Sequence, residues 1–252
     1  MNDLTDTGIV LAASPHGEHA ALVTLFTRST GLYTGYVPGG QSRKIRGFLQ
    51  LGTFVNARWR TRIEGRMGTL ELEPLPGIPS PLLADRTRLA GTASMLSLVR
   101  QFLAERDPFP GLHDATAATL ENLLQARTDT MTWAADVARW ECLLLAETGF
   151  GLDTHRCALT GTREELAWIS PHTGRAASRA AGQPWSDRLL PLPPFLLSTT
   201  LPSSPGELLQ GFRLSGHFLA RIETHTASGA RSPLPSARTR FLCRLSTELG
   251  AV

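Results

Sequence analysis

Residues 20–37 read AALVTLFTRSTGLYTGYV, and their pattern decides the fold. Two runs rich in β-branched and aromatic residues, Ala20–Arg28 and Leu32–Val37, flank a turn at Gly31, and Pro38-Gly39-Gly40 stops the second run. Such residues fit a half-buried pleated surface, whereas glycine and proline punctuate it. Outward from this pair, Gly8–Ala13 (GIVLAA) is a short apolar run, Thr53–Ile63 (TFVNARWRTRI) alternates, and Met67–Glu73 closes the set. Five short strands with glycine and proline between them predict a small barrel or sandwich.

Five is the strand count of an OB-fold, a small barrel that often binds oligonucleotides. The composition then changes. Residues 74–84 (PLPGIPSPLLA) carry prolines at 74, 76, 79 and 81. Proline lacks an N–H and fixes φ, so a continuous helix or a central strand is excluded there and a domain boundary is expected. From Asp85 onward the apolar period is helical. Leu89, Ala93, Leu96, Val99 and Leu103 recur at spacings of three and four behind an N-cap at Asp85. A second helix is expected over Asp114–Arg127 with Ala117, Leu120 and Leu124 inward. A third runs over Thr132–Thr148, with Trp133, Val137, Trp140 and Leu144 on one stripe and Gly149 to end it. Residues 150–200 read as a loop-rich insertion, with later helices near 205–222 and 236–249. The expected fold class is α+β. An N-terminal OB-fold barrel over residues 1–78 precedes a mostly helical domain over residues 79–252.

Charge is unevenly spread. Between Arg28 and Arg66 lie eight cations, Arg28, Arg43, Lys44, Arg46, Arg58, Arg60, Arg62 and Arg66, against one acid, Glu64. That segment carries +7, and the other 17 cations among 21 acids carry −4, giving the net +3 of the 252-residue chain. A concentrated basic surface is the electrostatic footprint of a polyanion binder, most often nucleic acid. All cations but Lys44 are arginine, whose planar fork suits phosphate. Three widely spaced cysteines, Cys142, Cys157 and Cys243, make no disulfide framework and suit a reduced, cytoplasmic compartment. No apolar run reaches the roughly 20 residues of a membrane span, and the first residues carry no signal pattern.

Two elements concentrate the basic charge. In Thr53–Ile63, side chains alternate faces, so Val55, Ala57, Trp59 and Ile63 point one way and Phe54, Asn56, Arg58, Arg60 and Arg62 the other. These arginines are either a phosphate track or a solvated barrel face. The loop Pro38–Phe48 (PGGQSRKIRGF) sets Arg43, Lys44 and Arg46 among Gly39, Gly40 and Gly47 with Ser42 as a hydroxyl donor, and flexible backbone beside cations allows close approach to phosphates. Tyr33, Tyr36, Phe48 and Trp59 are candidate stacking platforms for unpaired bases, or core filling for a small barrel.

Other motifs are weaker. Gly35–Ser42 resembles a phosphate-binding loop but has Gln41 in place of its lysine. His16-Gly17-Glu18-His19 has the look of a metal pair, yet its i, i+3 spacing in a glycine turn suits a surface turn better. Cys157, His155 and His172 fall short of a four-ligand zinc site, since Thr160 stands three after Cys157. No nucleophile elbow or catalytic triad is present, so a binding protein is expected, with no catalytic residues, metal or cofactor.

Residues 8–59 resemble the first domain of the bacterial RecO recombination mediators. The likeness lies in G-E-x-x-x-L-V-x-L-F-T over Gly17–Thr27, in Gly31 and Gly35, in the Gly40–Lys44 loop and in Leu49-Gln50. Arg139-Trp140-Glu141-x-Leu143-Leu144, ending at Gly149-Phe150-Gly151 and followed by Leu152 and Cys157, is similar to the central helix of the family's second domain. The resemblance implies an OB-fold followed by a helical domain in a non-catalytic DNA-repair protein. Such a protein binds single- and double-stranded DNA, anneals complementary strands and is cytoplasmic with the nucleoid. It implies three partners: the C-terminal tail of single-strand-binding protein, RecR and, indirectly, RecA. It also places an apolar pocket with basic residues in the helical domain, where Arg139 is the candidate partner-binding residue. Some members carry a four-cysteine zinc site that begins C-x-x-C-G. This chain has Cys157-Ala-Leu-Thr160-Gly161, with Ser178 at a later cysteine position, so a zinc-less branch is implied. An adaptor whose basic barrel binds an acidic protein is the alternative function.

Overall fold

The computed structural model describes residues 2–61, 67–75, 85–125, 128–222 and 233–251. Five strands, β1 (Asn2–His16), β2 (Ala20–Thr27), β3 (Gly31–Val37), β4 (Phe54–Thr61) and β5 (Thr69–Pro74), close into a barrel in the order β1-β2-β3-β5-β4. β1 runs 15 residues because it serves two neighbours. Its first half pairs with β4, Thr5 opposite Arg58 and Ile9 opposite Phe54, and its second half pairs with β2, ending with His16 opposite Ala20. The polar start of β1 shows no strand pattern in the sequence; pairing with β4 holds it extended. The register shifts between Val10 and Ala12, the local bend that closing a sheet requires. Inside the barrel, Val10, Val23, Leu25, Val55 and Leu70 are almost fully buried. Each such side chain contributes about 1.5–3 kcal/mol of hydrophobic stabilisation. Val55, Ala57 and Trp59 face this core, as the alternation predicted, but Phe54 on the opposite face is buried as well.

A short helix, α1 (Arg43–Arg46), lies between β3 and β4, where the sequence suggested only loop. Two longer helices follow, α2 (Arg86–Phe102) and α3 (Pro110–Leu124). Asp85 caps α2 by accepting the Thr87 and Arg88 backbone N–H groups at 3.0 and 3.1 Å. The buried face of α2 is not quite the predicted stripe. Arg88 is buried and donates from Nη1 to the Leu123 and Gln125 carbonyls at 2.6 and 2.8 Å. That inward arginine leaves the neighbouring Leu89 exposed, while Thr92, Ser94, Met95, Leu96, Leu98 and Val99 are buried. α3 starts four residues earlier than predicted, at Pro110, a residue whose fixed φ and missing N–H suit the first helical position. Leu120 and Leu124 are buried as expected, and Ala117 is half-buried.

The barrel, α2 and α3 form one compact unit, Met1–Gln125, and Ala126–Val252 forms a second. The expected boundary near residue 78 lies outside the described residues. The second unit begins with α4 (Thr130–Glu147), capped by Asp129, whose Oδ1 accepts the Thr132 N–H at 3.0 Å. Trp133, Val137, Trp140 and Leu144 are all buried on the predicted stripe. The segment 150–200 contains more than loop. β6 (Leu166–Ile169), β7 (Ala176–Ser178), the short α5 (Arg179–Gly182) and β8 (Leu190–Pro191) lie within it, and the strands form a sheet in the order β7-β6-β8. Strands of two to four residues are too short to leave a period in the sequence. α6 (Pro205–Leu219) and α7 (Ser236–Glu248) complete the unit.

Phe195, Phe212, Phe241 and Leu245 pack its core, and one ion pair is buried among them. The Glu141 carboxylate accepts from Arg238 Nε and Nη2 at 2.8 Å each and from the Ser215 hydroxyl at 2.5 Å. Arg238 Nη2 also donates to the Phe212 carbonyl at 2.6 Å. Both charges therefore have their hydrogen bonds satisfied, the condition under which a buried pair is tolerated. Among the described residues, no helix is long and apolar enough to cross a membrane.

Candidate nucleic-acid interface

The basic turn between β3 and β4 is built by local chemistry. Gly39 takes φ +66°, a left-handed conformation that glycine adopts without a steric penalty. Gly40 lies so close to β2 that a Cβ there would sit 2.6 Å from the Ala21 Cβ. Gly39 therefore shapes the turn, and Gly40 lets it press onto β2. Ser42 caps α1, accepting the Ile45 N–H on its hydroxyl at 3.4 Å. Gln41, which stands where a phosphate-binding loop has lysine, is structural. Its backbone N–H donates to the His19 carbonyl at 3.1 Å, and its side-chain Nε2 donates to the Gly17 and Ala20 carbonyls at 2.8 and 3.1 Å. The turn is thus fastened to the β1–β2 connection.

Ile45, Phe48 and Leu49 pack against the barrel core. With that side committed inward, Arg43, Lys44 and Arg46 are exposed. None of the three makes a side-chain ion pair among the described residues. A cleft of about 320 Å³ opens between α1 and β1, with Ser14, Pro15, Gln41, Arg46, Leu49 and Gln50 on its walls.

The other cations of the segment are differently placed. Arg58 and Arg60 point outward from β4, as predicted, but β5 runs beside them. Glu71 stands opposite Arg58 in the register, and its Oε1 accepts from Arg60 Nη1 at 2.7 Å. Arg28, at the end of β2, donates from Nε and Nη2 to both carboxylate oxygens of Asp114 on α3, at 2.9 and 3.0 Å. The Arg28 guanidinium, and after it the His113 ring, hold the Asp114 carboxyl below its usual range. Burial pushes the His113 imidazole below its ordinary value, against the smaller opposing pull of Asp114. Arg62 and Arg66 lie outside the described residues. The eight predicted cations thus divide into Arg43, Lys44 and Arg46, exposed on α1 without a carboxylate partner among the described residues, Arg28 and Arg60, engaged by carboxylates, Arg58, set opposite Glu71 in the register, and two with no structural account.

Of the four candidate stacking residues, Tyr33 is buried, and Trp59 and Phe48 pack against the barrel core, while Tyr36 is exposed. Arg106 was not singled out by the sequence. It takes φ +62°, donates its N–H to the Leu32 carbonyl at 2.9 Å and sets its guanidinium 5.7 Å from the Tyr33 ring and 5.8 Å from the Trp59 ring. Its position depends on a contact some 70 residues away in sequence, which no local motif announces.

In the second unit Arg139 is engaged. It donates to Asp136 Oδ1 at 3.0 Å, to the Phe195 carbonyl at 3.0 Å and to the Thr200 carbonyl at 2.5 Å, and it lies over the Phe195 ring. Cys157 closes a tight turn in which the Gly161 N–H bonds its carbonyl at 2.9 Å. Burial works to raise its thiol pKa, but hydrogen bonds from the Thr160 hydroxyl and the Ser178, Thr160 and Leu159 backbone outweigh it and bring the thiol to about 6. Hydroxyls at Thr160 and Ser178 are poor zinc ligands, and no cluster of three potential ligands occurs among the described residues. The residues present do not fit the four-cysteine zinc site that the resemblance raised.

A closed five-stranded barrel followed by a largely helical region defines an α+β protein, the fold class expected. A family model described as the recombination protein O N terminus matches residues 1–75, and one described as its C terminus matches residues 83–225. The chain is 43% identical to the DNA repair protein RecO of Rhodospirillum rubrum, over 97% of each chain. It is 46% identical to that of Rhodospirillum centenum, over 95% of this chain and 93% of the relative. The chain belongs to the RecO family of DNA repair and recombination proteins, as the resemblance implied. That membership agrees with the reading of a non-enzymatic protein.

Proposed function

We propose that this chain is a DNA-binding recombination mediator that holds DNA strands by their phosphates and brings complementary strands together. One observation carries the reading: Arg43, Lys44 and Arg46 are exposed, have no ion pair among the described residues, and sit on a turn that Gln41 and Gly40 hold against the barrel. Cations with no carboxylate to lose can displace the counterions of a phosphate backbone, the main sequence-independent source of affinity for DNA. Neutralising two strands on one surface lowers their mutual repulsion and accelerates annealing. Family membership supports the wider role, in which the protein acts on strands coated by single-strand-binding protein, engages RecR and helps load RecA. Arg139 then acts through the segment it pins, Phe195–Thr200, which would form one wall of the site for the acidic tail of single-strand-binding protein.

Annealing of complementary oligonucleotides by the pure protein, across a salt series and with or without the acidic tail peptide, tests the reading. Annealing that weakens steeply with salt is expected. A protein that neither binds bare strands nor anneals them, yet binds the acidic peptide, would instead be the adaptor.

A further inference from the structure

The outer wall of the barrel adds a contact of a different chemistry to the DNA-binding reading, on which it rests. Tyr33 and Tyr36 are three residues apart on β3, so their side chains face opposite sides. Tyr33 points inward, where its hydroxyl accepts the Gly68 N–H at 3.3 Å and its ring meets Trp59 edge-on at 4.9 Å. Tyr36 points outward and is 37% exposed. In the register, Tyr36 stands opposite Leu22 on β2, and Leu22 opposite Ser14 on β1. His16 lies two residues beyond Ser14 on the same face, and its ring stands perpendicular to Tyr36 with centroids 5.8 Å apart. Ser14 and His16 are exposed and Leu22 is half-buried. An aromatic pair on a shallow, partly apolar wall results.

Its surroundings give this wall a direction. At one end is the β1–β2 turn, to which Gln41 fastens the start of α1 and its three unpaired cations. At the other end the Thr24 and Thr34 hydroxyls meet at 3.1 Å, and the Thr34 hydroxyl donates to Glu105 Oε1 at 3.4 Å, placing a carboxylate there. A polyanion crossing this wall is drawn toward α1 and repelled near Glu105.

We propose that Tyr36, flanked by His16, is a stacking subsite for an unpaired nucleobase, with the phosphates of the same strand running toward Arg43, Lys44 and Arg46. Every base offers a π-face, so the subsite is indifferent to sequence. Bases of a duplex are already stacked on one another and cannot use it. The subsite therefore favours single strands, whereas the α1 cations serve both forms.

Binding of the full chain to labelled oligo-dT, to a duplex of equal length and to an abasic strand of equal length separates the possibilities. Tyr36→Ala is expected to weaken single-strand binding by about 5- to 150-fold, with duplex binding and the salt slope unchanged. Tyr36→Phe keeps the ring and is expected to bind as the parent does. On the abasic strand, parent and Tyr36→Ala are expected to bind alike. Unchanged single-strand affinity in a folded Tyr36→Ala protein overturns the subsite, as does an equal loss on duplex or abasic strand, and the phosphate reading then stands without it. A parent protein that binds none of the three ligands overturns the DNA-binding reading itself.

Discussion

The α1 turn and strand β4 carry nearly the same basic charge in the sequence, but very different charge in the fold. On β4 an arginine is matched by a glutamate from the adjacent strand, Arg60 with Glu71 at 2.7 Å. On α1 the neighbouring surface is the apolar barrel end, and Arg43, Lys44 and Arg46 have no carboxylate partner among the described residues. Charge available to a ligand is the charge left over after the fold has paired its own. A basic stretch in a sequence measures the first quantity only when its spatial neighbours are known.

The contrast is sharpest where a cation is wholly committed. Arg238 is buried against Glu141 and serves the second unit alone. Arg238→Met is expected to cost about 3–5 kcal/mol of stability, because it leaves a buried carboxylate without its partner. Thermal or denaturant unfolding reads that loss, and a shift below about 1 kcal/mol would mean that the Glu141 carboxylate finds other hydrogen-bond donors or reaches water. A smaller effect is expected where pairing is partial. Glu71→Gln removes the carboxylate to which Arg60 donates, so DNA affinity should rise, by about five-fold at most, the gain of one added phosphate contact. A rise exceeding the loss seen on stripping α1 would move the interface to β4.

The smallest effect concerns His113, beneath the Arg28–Asp114 pair. Burial holds its folded pKa below the ordinary 6.5, so the unfolded chain takes up the proton first. Stability should therefore decline as pH falls through 6.5 and level off below the folded pKa. Asp114, depressed by Arg28, adds a loss only near and below its ordinary 3.8. The melting temperature of His113→Asn should accordingly fall less than that of the parent between pH 7 and pH 5.5. An equal fall in both would clear His113.

Much of the architecture was legible. Alternation over Thr53–Ile63 identified Val55, Ala57 and Trp59 as the inner face of a barrel strand, and Asp85 was recognisable as a cap. The Trp133–Leu144 stripe marked α4. What escaped depends on distant partners. Asp114, which engages Arg28, is 86 residues away from it in sequence. The inward turn of Arg88, which displaces Leu89, answers carbonyls at the far end of α3. The four-residue α1, bounded by Ser42 and Gly47, is too short for a period, and the three-stranded sheet in the second unit is too short for alternation. At the candidate interface, residue type was legible and availability was not. The sequence offered eight cations and four aromatics on equal terms, whereas among the described residues the fold leaves Arg43, Lys44 and Arg46 without a carboxylate and one candidate ring, Tyr36, exposed.

The central claim is that DNA affinity comes from the unpaired cations of α1 rather than from the paired arginines of β4. Its most direct test is the slope of log affinity against log salt for one single-stranded oligonucleotide. Three proteins would be compared: the parent, Arg43→Ala/Lys44→Ala/Arg46→Ala, and Arg58→Ala/Arg60→Ala. The slope of the α1 variant should fall by about 2, at roughly 0.7 per phosphate contact, with an affinity loss on the order of 100-fold near 0.1 M salt. The β4 variant should keep the parental slope. A parental slope in the α1 variant together with a reduced one in the β4 variant would contradict the account.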